Sequence, residues 1–205
     1  MPHYKLYQFF SSGNCYKVRM LLNMLGIPYT SVEIDILKGE SRTKEFLKIN
    51  PNGRIPVLEI NGQCLPESNA ALWYLAKNTR YLPSDHFAEA QVLQWMFFEQ
   101  YSHEPYIATS RYWISILRAE ETYKQQLEQK RAGGYAALNV MECHLASNNY
   151  FVANKFSIAD IALYANTCVA DEGNFDLSGF PNINTWFKRI EAQPGYISIR
   201  QRCAL

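Results

Sequence analysis

From residue 4 the chain reads Tyr-Lys-Leu-Tyr-Gln-Phe-Phe, and both alternating sets, Tyr4/Leu6/Gln8 and Lys5/Tyr7/Phe9, are largely apolar. That is the pattern of a strand covered on both faces. Val18, Leu21, Leu22 and Leu25 then recur at helical spacing, and the pattern stops at Gly26 with Pro28 two residues on, as a helix face does at its C-terminus. "SVEIDI" (31–36) alternates Val32, Ile34 and Ile36 against Glu33 and Asp35 and predicts a second strand. "SRTKEFLKIN" (41–50) predicts a short polar helix closed by Pro51. "PVLEI" and "QCL" flank Asn61-Gly62, a strong hairpin signal, and "ESNAALWYLAKN" (67–78) places Ala71, Leu72 and Leu75 on one helical face. The order is βαβαββα.

Beyond "YLPSD" (81–85), a proline-containing bridge, no further strand pattern emerges. Residues 86–200 read as helical, through "AEAQVLQWMFFEQ", "YAALNVMECHLASN", a start at "SIAD" and another after "FPN". In "FSIADIAL", Ser157 and Asp160 have the spacing of a capping box, and Phe156 and Ile161 that of a hydrophobic staple, so this motif is structural. The expected architecture is an α/β unit of thioredoxin-like order over 1–80, a linker at 81–85 and an all-helical unit over 86–205.

Composition narrows the function. Of 205 residues, 48% are apolar and 14% aromatic, which suits a folded globular chain. Lys and Arg (20) nearly balance Asp and Glu (19), and no basic run is interleaved with aromatics, so nucleic acid is not an expected partner. No apolar run reaches the roughly eighteen residues of a membrane helix. The opening "MPHYKLYQFF" lacks the features of an export signal, so a cytoplasmic location is expected. Cys15, Cys64, Cys143, Cys168 and Cys203 are widely scattered, which favours reduced thiols over disulfides or a zinc site. Cys64, Cys143 and Cys168 are expected to be buried or half-buried.

Taken together, "NGRIPVL" after βαβα, "PES" opening a helix, and an all-helical half with a Ser-x-x-Asp cap resemble the cytosolic glutathione transferases, serine-type bacterial members with theta-, delta- and zeta-like features. The segments 97–113 and 180–196 carry the same resemblance. It implies a homodimer that uses glutathione as co-substrate, without a metal, against a small hydrophobic electrophile. Aligned on "CYKV", Ser12 falls where the family's thiolate-stabilising serine lies, with Ser11 as the alternative. A strand tyrosine would fall near Gln8, and Tyr7 points to the opposite strand face. "SGNC" is a Cys-x-x-Cys with serine first, which leaves Cys15 packed inside the helix. The same serines would also serve simply to cap that helix.

The rest of the site follows the resemblance. Ile55, ahead of Pro56, would pair its main chain with the cysteinyl part of glutathione, a cis bond being what makes a proline there tolerable. Ser68 and the amides of its helix start would hold the γ-glutamyl carboxylate, and Glu67 its ammonium. Lys38, Ser41 and Arg54 are candidates for the glycyl carboxylate. Phe9, Phe10, Tyr106, Ser110, Arg111 and Trp113 are candidates for the electrophile wall, although an aromatic helix of this kind also suits a core. Two further readings stand beside the transferase: glutathione-dependent disulfide or peroxide reduction, and a non-catalytic binding or regulatory protein on the same fold.

Overall fold

The computed structural model describes residues 2–201, so Cys203 lies outside the described residues. They form two units, residues 2–77 with 194–201, and Asn78–Gln193. The first has the expected order: β1 (Tyr4–Gln8), α1 (Gly13–Met24), β2 (Tyr29–Glu33), α2 (Lys44–Ile49), β3 (Val57–Ile60), β4 (Gln63–Pro66) and α3 (Ser68–Ala76). The sheet runs β2-β1-β3-β4. β1 and β2 are parallel, and the β1/β3 and β3/β4 pairs are antiparallel. Leu6, Val57 and Leu58 from the sheet are fully buried, as are Val18, Leu21 and Leu22 of α1 and Leu72 of α3. Asn61 and Gly62 both take positive φ (49° and 84°), which turns the β3–β4 hairpin tightly.

Three local expectations shift. β2 ends at Glu33 rather than 36, because Asp35 leaves the ladder to accept the N–H groups of Leu37 and Lys38, starting a 3₁₀ turn. The helix expected over 41–50 begins only at Lys44, where the Thr43 hydroxyl accepts the Phe46 N–H; residues 40–42 form a separate turn. Residues 194–201 do not stay with the helical half. They return to α1, where the Tyr16 hydroxyl donates to the Ile197 carbonyl at 2.6 Å and the Asn23 amide to the Gly195 carbonyl at 2.8 Å.

The second unit contains α4 (His86–Phe98), α5 (Glu104–Arg111), α6 (Lys124–Leu145), α7 (Ile158–Thr167) and α8 (Pro181–Glu191). A π-helical turn over Glu99–His103 joins α4 to α5, with the Glu104 N–H bonded five residues back to the Glu99 carbonyl. Pro105 accounts for it: proline supplies no N–H and its ring crowds the carbonyl four residues earlier, so the helix widens there. Gly133 and Gly134 in α6 admit two rings at close range. A Cβ on them would lie 2.4 Å from the Tyr106 ring and 2.3 Å from the Phe175 ring. Tyr81 and Leu82, expected in a bridge, are buried, and the Tyr81 carbonyl accepts the Ile158 N–H at 3.0 Å. Cys64 and Cys143 are exposed, against expectation: Cys64 sits on the end strand β4, and Cys143 on a solvent-facing position of α6. Among the described residues no helix is long and apolar enough to cross a membrane.

Asp160 organises the core of this unit. Its carboxylate accepts from the Ser157 N–H (2.9 Å) and hydroxyl (3.1 Å), the Phe151 N–H (3.2 Å) and the Trp186 indole N–H (2.9 Å). The capping box is therefore formed, and it also anchors a fully buried tryptophan. Replacing Asp160 by Ala strands several buried donors and is expected to cost about 3–5 kcal/mol in denaturant unfolding. Burial pushes the Asp160 carboxyl up to about 6, against the pull of the Trp186, Ser157 and Phe151 donors. A raised acid binds more protons folded than unfolded, so its contribution is complete below the ordinary value of 3.8 and is lost as pH rises through about 6. The stability difference between wild type and Asp160→Asn should shrink across that window by about 3 kcal/mol, as read from unfolding curves at successive pH values.

Candidate functional site

Strand register assembles the candidate site of the first unit. Tyr7 pairs with Val57 and Val57 with Pro66, so the end of β1, the start of β3 and the end of β4 lie side by side. Gln8 pairs with Glu33, which brings the end of β2 to the same edge. The segments that leave this edge are 9–12, 34–43, 55–56 and 67–68, and they carry Ser11, Ser12, Lys38, Ser41, Ile55, Pro56, Glu67 and Ser68.

The β1–α1 turn is closed by the Ser12 N–H donating to the Phe9 carbonyl at 2.9 Å. Ser12 is the N-cap of α1, and its Oγ accepts the Cys15 N–H at 3.3 Å. This cap uses a lone pair of the hydroxyl oxygen, and the Ser12 O–H in turn meets the Cys15 thiol, so the hydroxyl can donate to a different sulfur only by turning away from it. Ser12 is half-buried and Ser11 exposed. Cys15 is fully buried and accepts the Phe9 N–H at 3.4 Å. Burial pushes its thiol up to about 11, outweighing the Phe9 and Ser12 hydrogen bonds, so it stays protonated at neutral pH. Tyr7 is engaged on the other strand face, where its hydroxyl donates to Glu59 at 2.7 Å.

The Ile55-Pro56 peptide is cis, directly ahead of β3. Glu67, between β4 and α3, has φ 72° and ψ 114°, a left-handed backbone in a non-glycine residue. Its side chain is exposed while Ser68, the first residue of α3, is buried. A strained residue costs on the order of 1–3 kcal/mol and persists where the surroundings hold it. α3 also packs on α1, with the Lys17 ammonium 3.4 Å from Asn69 Oδ1.

The three candidates for a terminal carboxylate differ in setting. The Lys38 ammonium pairs with Asp35 at 3.2 Å on the surface. Ser41 is buried, its carbonyl against Gly53, where a Cβ would approach to 2.9 Å. Arg54 is exposed, in a loop held by Asn50, whose amide donates to the Arg54 carbonyl at 2.7 Å.

The electrophile candidates divide between the units. Phe9 and Phe10 are half-buried in the first. The Phe10 N–H donates to Glu33 at 2.6 Å, and its ring lies 4.6 Å from the Arg19 guanidinium. In the second, the Ser110 hydroxyl donates to the Tyr106 carbonyl at 2.6 Å, and Arg111 pairs with Glu172 at 2.7 Å, both largely buried. Trp113 stacks on Tyr123 at 4.4 Å, and the Lys130 ammonium sits over the Tyr106 and Trp113 rings. A cavity of about 480 Å³ within this unit has Ser110 in its wall beside Ile114, Leu127 and Phe175, with Glu128 and Arg131 among its charged groups. Tyr106, Arg111 and Trp113 do not line it.

Sequence reasoning missed Arg19, which bonds Gln8 and the returning segment at Ile199. Its signal was the pair Lys17 and Arg19 in the middle of an otherwise apolar helix. Among the described residues no group of three or more His, Cys, Asp or Glu side chains is placed to hold a metal ion.

Comparison with known proteins fits this arrangement. Residues 2–77 match the family model for the glutathione S-transferase N-terminal domain, and residues 94–194 that for the C-terminal domain. A crystal structure of glutathione S-transferase from Pseudomonas fluorescens is 49% identical with a TM-score of 0.94, covering 97% of this chain and 99% of that one. The structure of Ure2p in complex with glutathione is 25% identical with a TM-score of 0.81, over 94% and 90%. The disulfide-bond oxidoreductase YfcG of Escherichia coli is 26% identical, over 91% of this chain and 89% of its own. Both units are matched, in order and over nearly their whole length: the chain belongs to the glutathione S-transferase family.

Proposed function

We propose that the protein is a cytoplasmic, serine-type glutathione transferase in which Ser12 stabilises the glutathione thiolate for attack on a hydrophobic electrophile, in the manner of a detoxifying enzyme. The observation that carries this reading is the place of Ser12 at the N-terminus of α1, where its oxygen accepts the Cys15 N–H and its O–H, which meets the Cys15 thiol here, would turn to the glutathione sulfur. Capping and catalysis thus use opposite ends of one group. A free thiol ionises near pKa 8.5, and lowering that by about two units takes about 2.7 kcal/mol. One hydrogen bond to a charged acceptor contributes about 1.5–3 kcal/mol, and a helix N-terminus about 0.3–1 kcal/mol. The two together suffice.

In this reading the Ile55 main chain binds the cysteinyl unit, and Glu67 and Ser68 bind the γ-glutamyl end. Arg54, Lys38 and Ser41 compete for the glycyl end, with the exposed Arg54 best suited. Tyr106 and Trp113 offer the helical unit's aromatic surface to the second substrate, with Ser110 and Arg111 fixing the helix behind them. Disulfide reduction is the second reading, favoured by the similarity to YfcG. Because Cys15 is buried and protonated, the reducing thiolate would have to be that of glutathione.

We also propose a homodimer formed through the helical unit. Phe87 (74% exposed), Phe97 (68%) and Tyr101 (85%) present large apolar side chains on α4 and the turn after it. Phe97 and Tyr101 stand four residues apart, on one side of the chain, and exposed apolar surface of this kind marks association surfaces.

An ultraviolet titration of bound glutathione should give a thiol pKa about two units higher in Ser12→Ala than in wild type, with turnover of a chlorinated nitroaromatic at pH 7 falling about 25-fold as the thiolate is lost. Ser11→Ala should match wild type. Equal pKa values in wild type and Ser12→Ala would remove Ser12 from the chemistry, and strong turnover of hydroxyethyl disulfide alone would favour reduction. Glu67→Gly should relieve the positive φ and raise the unfolding midpoint by about 2–4 °C per kcal/mol released, while the glutathione KM rises about tenfold with the loss of a charged contact. Phe97→Glu combined with Tyr101→Glu should convert a dimer to a monomer in sedimentation, and an unchanged sedimentation coefficient would exclude this face.

A further inference from the structure

Arg19 is 1% exposed, on the second turn of the helix that Ser12 caps. Removing a guanidinium from water costs several kcal/mol unless hydrogen bonds and packing compensate. Here Nη1 donates to Gln8 Oε1 at 2.8 Å, Nη2 donates to the Ile199 carbonyl at 3.2 Å, and the guanidinium carbon lies 4.6 Å from the Phe10 ring centroid. Gln8 is the last residue of β1 and is itself fixed by its amide donating to Ser31 Oγ at 2.7 Å. Phe10 stands two residues ahead of Ser12. Arg19 therefore reaches from the helix back across the turn and grips the strand side at two points.

The third point comes from the far end of the sequence. Ile197 and Ile199 are buried in the first unit, and Gly195, at φ 76°, passes so close to α1 that a Cβ would lie 2.8 Å from the Met24 Cα. That segment presents a backbone carbonyl to Arg19, an acceptor that cannot titrate. An apolar residue of similar volume would fill the site without the desolvation cost, so a cation at this place suggests a purpose beyond packing.

We infer that Arg19 is a positioning residue for the turn bearing Ser12, locked against Gln8 and Phe10 by the returning segment 194–201, so that residues from both ends of the chain set the geometry in which Ser12 meets the sulfur. The inference rests on the thiolate reading of Ser12. The positive field of Arg19 also extends over the first turn of α1. Although burial dominates at the Cys15 thiol, Arg19 is among the groups that pull it down.

The test uses full-length Arg19→Met, Arg19→Lys and Gln8→Met, with melting curves, glutathione affinity and the ultraviolet titration of bound glutathione. Arg19→Met should raise the bound thiol pKa by about one unit, a tenfold fall in the ionisation constant and about a threefold loss of thiolate at pH 7, and lower kcat at that pH by about threefold, while glutathione KM stays within about twofold. Arg19→Lys keeps the charge without the fork and should recover part of the loss. Gln8→Met leaves the cation and frees the strand end, and should raise the pKa by about half a unit, roughly threefold. Should Arg19→Met fail to fold, Gln8→Met decides. Wild-type thiol pKa values in Gln8→Met and in every folded Arg19 variant, alongside a raised value in Ser12→Ala, overturn this inference alone. A wild-type complex no more acidic than free glutathione, or one unmoved by Ser12→Ala, overturns the thiolate reading and this inference with it.

Discussion

Val57 lies between Tyr7 on one side and Pro66 on the other, and this pair of antiparallel registers governs the candidate site. Side chains alternate faces along a strand, so a slip of one residue would turn Leu6, Val57 and Leu58 out of the core. The same slip would carry the Ile55-Pro56 peptide away from the turn holding Ser12 and from Glu67. The apolar faces of the strands thus set the edge from which the polar segments emerge. Burial provides the energy and register converts it into position.

At that edge, polar groups do two jobs at once. The Ser12 oxygen satisfies an orphan amide of α1, which stabilises the helix, and in the proposed reading the hydroxyl on the same oxygen would also serve the chemistry. Glu67 adopts a backbone conformation unfavourable to a side chain, yet keeps that side chain exposed just before α3. Arg19, buried at 1% exposure, ties the opening strand to the returning end of the chain through Gln8 and the Ile199 carbonyl. In the helical unit the division is cleaner. Asp160 is spent wholly on structure, with its oxygens occupied by Ser157, Phe151 and Trp186.

The parts that could be read from the sequence are those decided within a few residues. Asn61-Gly62 turns the hairpin because both residues tolerate positive φ, and Ser157 with Asp160 caps α7 because their spacing alone brings side chain to backbone. Ser12 was legible as a cap by the same local logic. β2 was misplaced because the alternation of Val32, Ile34 and Ile36 continues past the point where Asp35 captures the Leu37 and Lys38 amides. The helix expected from residue 41 began late because Thr43 is the better cap. The exposed Cys64 and Cys143 show that residue type does not determine which side of an element faces solvent.

By itself, the sequence determined the order of elements, the hairpin, the caps and the set of polar residues available at the strand ends, since each depends on spacing along a few turns or one strand. Tertiary structure alone decided which of those residues share an edge, that Glu67 sits at φ 72°, and that Pro105 opens a π turn rather than ending its helix. It also decided that residues 194–201 return to α1 and bury Arg19. Contacts across 180 positions carry no local signal, because what fixes them is the shape of a surface that exists only once the strands have paired and the helices have packed.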